Sequence, residues 1–219
     1  MKIIKPSFEI INEPNWDTVL TSLEKPIRLC YKSEDKIKPG SAEKIIRNII
    51  KRGHESTLEH VSMSVKFICD RGVTHEMVRH RHCSFSQEST RYVNYKDKPM
   101  EFILPCWMDI PLGTYDAHCE YEHAKSGPEK DWYDTMLNSE FVYNDMIEAG
   151  WSPQKARSIL PNSLKTEIVV TTNLRDWRHI LHLRCDTAAH PQYRELSLPL
   201  YDALVEKCPV IFDSIEFNR

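Results

Sequence analysis

The sequence predicts an α+β protein, mostly helical, with a small, mostly antiparallel sheet and several helices including a long one. Three observations carry this. Most apolar residues recur at helical spacing. Two β patterns, at 61–69 and 166–172, stand far apart with helical segments between them, so their pairing is non-local. No repeat, low-complexity tract or Gly/Ser linker interrupts the 219 residues, which points to one domain over 1–219.

Residues 41–52 suit a helix, with Ile45, Ile46, Ile49 and Ile50 as its apolar stripe and Gly53 as its stop. Residues 61–69 alternate: Val61, Met63, Val65, Phe67 and Cys69 face one way, Ser62, Ser64 and Lys66 the other. That is a strand with one buried face. Asp70-Arg71-Gly72 turns the chain, 73–81 form a short helix, and a polar loop follows to Tyr92. A short strand is expected at 101–104. From 115 the pattern is helical, broken at Gly127-Pro128. Pro128 suits a first helical position, Trp132, Met136, Tyr143 and Ile147 keep helical spacing, and Gly150 ends the helix. Ser152-Pro153 starts a short helix that stops before Pro161. After the β-rich 166–172, Asn173 leads into a helix carrying Leu174, Trp177, Ile180, Leu181 and Arg184. Pro191 opens a last long helix.

Composition bounds the function. The hydrophobic fraction is 41% and the charged fraction 28%, ordinary for a globular protein. No apolar run approaches the ~20 residues of a membrane helix, and the first six residues lack the apolar stretch of a signal peptide. Net charge is −3, whereas a dedicated nucleic-acid binder is usually basic. Seven scattered cysteines, none in a CxxC spacing, read as reduced thiols in a cytoplasmic protein.

The densest chemistry lies at 79–91, Arg-His-Arg-His-Cys-Ser-Phe-Ser-Gln-Glu-Ser-Thr-Arg. On a helix Arg79 and Arg81 would stand ~200° apart and reach different groups. Guanidinium forks bind phosphate or a planar imide edge through paired hydrogen bonds. Ser89 and Arg91, in a loop, add a hydroxyl, backbone N–H groups and another fork, which together form an anion nest. The plain alternative is a solvated basic face. Tyr92 and Tyr95 beside these arginines also leave open a nucleotide- or RNA-binding module that stacks bases.

A metal site would draw on His75, His80 and His82 with Cys83, or on His54, Glu59 and His60. The first two histidines are five residues apart and diverge on a helix, and HExxH is absent, so no metal is expected. Cys83, near cations that would favour its thiolate, is read as a packing residue. Ser89, without an oriented base, is read as a ligand contact. Arg175 and His179, four apart, share a helix face. Arg184 lies nine residues beyond Arg175, ~900° or half a turn away, so one helix can touch two ligands. A surface-charged amphipathic helix is the alternative.

The pattern Arg79-His80-Arg81, seven residues, then Ser89 resembles the signature of flavin-dependent thymidylate synthases. The similarity extends over roughly 40–208 and is strongest at 51–60, 71–95 and 156–185. It implies reductive methylation of dUMP to dTMP, with methylenetetrahydrofolate as carbon donor and reduced FAD, regenerated by NADPH, as hydride donor. It also implies a homotetramer with shared active sites, and no membrane or nucleic-acid polymer as partner. By resemblance, dUMP is contacted by Glu76, Met77, Val78, Arg79, Gln87, Glu88, Ser89, Thr90, Arg91, Arg157 and Arg184. FAD is contacted by His54, Ser56, Glu59, Arg79, His80, Arg81, Gln87, Asn173, Leu174, Arg175 and His179, with His54 and Glu59 bordering both flavin and folate. Arg184 matches the arginine that binds the uracil edge and is the catalytic residue. Glu76 stands where many members have Gln, and Gln87 where some have Glu. No G-x-G-x-x-G is present, so FAD binding does not rest on a Rossmann fold.

Overall fold

The computed structural model describes residues 1–96, 98–116 and 127–219. The fold is α+β: a four-stranded antiparallel sheet, a small mixed sheet, and helices. The mixed sheet has strand β1 (Lys2–Ile4) at its centre, parallel to β5 (Glu101–Ile103) and antiparallel to β6 (Gly113–Thr114). The larger sheet runs β2 (Ser7–Asn12), β3 (Ser62–Asp70), β7 (Lys165–Asn173), β4 (Ser84–Gln87).

The chain forms two compact units. The first holds 1–7, 67–79 and 86–168; the second holds 8–66, 80–85 and 169–219. In the first, Met1, Ile3, Phe102, Leu104, Tyr133, Met136 and Tyr143 make one buried cluster under helix α4 (Pro128–Glu148). Pro128 takes the N-terminal position its missing N–H suits. Helix α5 (Pro153–Ala156) and a 3₁₀ turn, Arg157–Ile159, pack against α4.

In the second unit, helix α1 (Trp16–Tyr31) packs on α2 (Ser41–Lys51). Val19, Leu23 and Ile27, at i, i+4 and i+8, form its buried stripe, and the Asn15 side chain accepts from the Asp17 N–H at 3.0 Å to cap it. Helices α6 (Leu174–Cys185), α7 (Pro191–Lys207) and α8 (Pro209–Phe212) complete this unit. The Trp177 indole is buried and donates to the Met63 carbonyl at 3.1 Å, fixing α6 to β3.

Several expectations change. Strand β3 is not one-faced: Ser64 is buried, because its hydroxyl meets that of Thr171 at 2.8 Å and so loses little on leaving water. The helix after Asp70 is α3 (Arg71–Met77) and does not reach 81. Residues 79–82 offer no apolar group to extend its buried stripe. The expected polar loop contains β4. Tyr115 and Asp116 are not helical, and the rest of the helix expected before Gly127 lies outside the described residues.

Candidate active site

The site residues of the first unit are placed by α3. Its N-cap Asp70 accepts from the Val73 N–H at 2.8 Å. Gly72 makes this possible, since a Cβ there would meet the Asp70 carboxylate at 2.9 Å. Met77 is buried, so its side chain is core rather than a ligand group, while Val78 and Arg79 are exposed in the turn that follows. Because Arg79 and Arg81 lie in turns, the helical angle between them does not apply.

Along β4 the side chains alternate outward and inward. Inward-facing Gln87 donates its amide to the hydroxyls of Thr74 (3.0 Å) and Thr166 (3.3 Å), which is how so polar a segment becomes a strand. Beyond it, the Glu88 N–H bonds the Glu167 carbonyl at 2.8 Å. The Glu88 carboxylate accepts from the Tyr95 phenol at 2.7 Å and from the Lys165 ammonium at 3.3 Å. Burial first, then the bond to Glu88, pushes the Tyr95 phenol above its ordinary range. Glu88 is thus occupied within its own unit and is no bare negative charge facing a nucleotide.

The chain then turns tightly. The Ser89 carbonyl accepts from the N–H groups of Tyr92 and Val93, and its hydroxyl accepts from the Arg91 N–H at 3.3 Å. Arg157, 67 residues away, donates to the Thr90 hydroxyl at 3.5 Å. The structure therefore brings Ser89, Thr90, Arg91 and Arg157 together: two exposed guanidiniums around a turn, a suitable cradle for phosphate.

In the second unit the site is built on α6. Its N-cap Asn173 accepts from the Asp176 N–H at 2.9 Å and returns its amide to the Asp176 carboxylate at 2.9 Å. The Thr172 hydroxyl donates to the His82 carbonyl (2.9 Å) and reaches Asp176 (3.2 Å), tying the basic segment to this helix start. Leu174 is fully buried and its N–H bonds the Val61 carbonyl, so it positions the helix and offers no exposed side chain. Arg175 and His179 face solvent, and Arg175 pairs with Glu59 at 2.5 Å. A cavity of about 790 Å³ opens here, lined among others by Glu55, Glu59, His82, Asn173, Arg175 and His179. His54 and Ser56 are exposed nearby in sequence, and the Tyr31 hydroxyl lies 3.3 Å from His54 Nδ1.

Arg184 is half-buried and held at two points. Its Nε donates to His80 Nε2 at 3.0 Å, and its guanidinium carbon sits 4.8 Å from the centre of the buried Tyr193 ring. His80 also meets His179 edge to face at 6.4 Å. Desolvation, aided by the charges of Arg184 and His179, pushes the His80 imidazole down to about 4. A neutral ring at pH 7 is required, since Nε2 can accept from Arg184 only when unprotonated. Burial raises the Cys83 thiol, three residues after His80, so little thiolate forms there.

A family model described as thymidylate synthase complementing protein matches residues 16–210. The flavin-dependent thymidylate synthase of Mycolicibacterium vanbaalenii is 34% identical over 194 residues, and that of Corynebacterium diphtheriae 35% identical over 199. Each alignment covers 86% of this chain and 76% of the relative. The chain belongs to the flavin-dependent thymidylate synthase family. The solved UMP/dUMP methylase of Streptomyces cacaoi, bound with 5-bromo-dUMP, shares the fold: the TM-score is 0.72 at 22% identity, over 97% of this chain and 96% of that one.

For a member of the flavin-dependent thymidylate synthase family, the dUMP-matching residues 76–79, 87–91 and 157 fall in the first unit. His54, Ser56, Glu59, His80, Arg81, Asn173, Leu174, Arg175, His179 and Arg184 fall in the second. Sequence reasoning missed Tyr193, Asp176 and Lys165, and did not join Glu88, named as a dUMP contact, to Tyr95, named as a stacking ring. Asp176 alone carried a local signal, lying three residues after an Asn N-cap. Tyr95 bonds Glu88 and packs on Tyr143 at 5.8 Å, which removes it as a base-stacking platform. Among the described residues no three His, Cys, Asp or Glu gather as a metal ligand set.

Proposed function

We propose that this protein makes dTMP from dUMP, taking the carbon from methylenetetrahydrofolate and the hydride from FAD that NADPH reduces. The whole of 1–219 acts as one catalytic domain, in a cytoplasmic homotetramer whose sites draw on several chains. The free thiols among the described residues suit a reducing compartment.

The observation that carries the reading is the double anchoring of Arg184 by neutral His80 and the Tyr193 ring. Uracil C5 becomes nucleophilic when negative charge on the N3/O4 edge is stabilised. A guanidinium already fixed in a half-buried site does this without reorganising, as an oxyanion hole does for acyl transfer. No thiol is required, and Cys83 is poorly suited to supply one. Arg157, Arg91, Ser89 and Thr90 hold the phosphate.

The second unit fits FAD. Arg175, Arg178 and the imidazoles of His179 and His82 line one cavity with the carboxylates of Glu55, Glu59, Asp176 and Glu216. Glu59 and Glu55 are paired with the two arginines, so a pyrophosphate there would have to compete for Arg175, with exposed His54 and Ser56 as further polar contacts. FAD held by these residues would, once reduced, supply the hydride for the methyl group. Glu59 holds Arg175 in place until an anion competes for it.

Incubation with dUMP, methylenetetrahydrofolate, NADPH and FAD tests the reading. dTMP and tetrahydrofolate are expected in equal amounts. Absence of dTMP, or release of dihydrofolate, contradicts it.

A further inference from the structure

A second cavity in the second unit, of about 930 Å³, lies between α1 and α2 and is lined by none of the residues assigned above to dUMP or FAD. Its lining is strongly basic. Lys36, Lys38, Lys44 and Arg52 all border it, all are exposed, and among the described residues none is paired with a carboxylate. Arg28, also on the wall, is already matched by buried Glu24 at 2.9 Å, and Asp35 is the one acid among the described residues of the lining. Four unpaired cations around one concavity repel each other, and an anionic guest relieves that repulsion.

Two details define the guest. The cations are spread out: Lys44 lies in α2 and Arg52 just past its end, eight residues on, about 12 Å of helix rise, and Lys36 and Lys38 come from the segment before α2. A single phosphate reaches one or two of them, whereas a chain of carboxylates at regular intervals reaches all four. The cavity also touches the folate side of the proposed site, because Tyr31 lines it and meets His54 at 3.3 Å.

We propose that this basic cavity binds the γ-linked polyglutamate tail of the folate co-substrate. The inference rests on the thymidylate synthase reading above. Binding the tail lowers KM for polyglutamylated folate and leaves the chemical step unchanged, since these lysines touch no reacting atom.

The test compares monoglutamyl with pentaglutamyl methylenetetrahydrofolate in the FAD-loaded enzyme. A KM about tenfold lower for the pentaglutamate is expected from several weak exposed ion pairs acting together, and it should shrink with added salt. The triple variant Lys36→Ala, Lys38→Ala, Lys44→Ala should lose that preference while keeping kcat and the monoglutamate KM. The corresponding triple Lys→Arg variant should keep the preference. Equal KM values in the wild type, or a preference that survives the alanine variant, overturn the proposal. So does an alanine variant that raises only the KM for NADPH. Equilibrium titration of the same two tetrahydrofolates reads the site without turnover. A protein that makes no dTMP but still prefers the pentaglutamate defeats the activity reading alone, and equal affinities defeat the tail site.

Discussion

In the first unit Arg157 and Arg91 stand exposed around a turn, one reaching the Thr90 hydroxyl and the other lying 5.4 Å from the Tyr92 ring centre. In the second unit Arg184 is half-buried, bonded to a neutral imidazole and laid on a buried ring. The two settings suit different work. An exposed guanidinium in high dielectric is a holder: it gains from a doubly charged phosphate but does little to a delocalised ring. A half-buried one, oriented in advance by a neutral imidazole and an aromatic ring, is placed to stabilise charge that appears during reaction. The neighbouring acceptors follow the same division. Glu88 in the first unit is neutralised by Lys165 and Tyr95, whereas His80 in the second accepts a hydrogen bond without bringing a negative charge to Arg184.

This contrast is broken most severely by Arg184→Ala. We expect dTMP formation to fall by about 10²–10³ or more, as for loss of an oxyanion donor, with flavin still bound. Near-normal turnover would remove Arg184 from its catalytic role. Arg157→Ala should act differently, raising KM for dUMP roughly tenfold with little change in kcat, as loss of a charge-assisted phosphate contact does. A kcat effect as large as that at Arg184 would erase the distinction between the two arginines.

His80 sharpens the comparison through pH. Its folded value, about 4, lies below the ordinary 6.5, so as pH falls the unfolded chain takes up this proton first. The group costs nothing above about 6.5, and stability is lost as pH drops from there toward 4. Urea midpoints at pH 7 and pH 5 should differ less in His80→Gln, which accepts from Arg184 but does not titrate. Equal pH losses in both proteins would contradict the assignment. The smallest effect is expected at Tyr95→Phe, which removes one hydrogen bond to Glu88. A loss of about 1 kcal/mol in unfolding free energy, with dUMP turnover little altered, would mark that network as support for the loop.

Parts of this were legible in the sequence. Helix α2 was, because Ile46, Ile49 and Ile50 repeat on one face and Gly53 follows at φ 70°. The starts of α4, α6 and α7 were, because Pro128, Asn173 and Pro191 are local signals. Helix α1 was not read, since Pro26 sits inside it and interrupts the pattern. Three-residue β1 is too short for alternation to register. Strand β4 looked like a loop because its inward Gln87 is made tolerable only by Thr74 and Thr166, far away in sequence. The residues of the site were mostly named from motif resemblance, but what holds them was not. His80 and Arg184 are 104 residues apart, and nothing at either position announces the other.

The most direct test of the central claim is the visible absorption spectrum of FAD-loaded protein titrated with dUMP, in the wild type and in Arg184→Ala. If the pyrimidine meets the flavin beside Arg184, dUMP perturbs the flavin bands in the wild type and the perturbation is weakened or lost in the variant. A spectrum that dUMP leaves unchanged, or a perturbation of the same size without Arg184, contradicts the account.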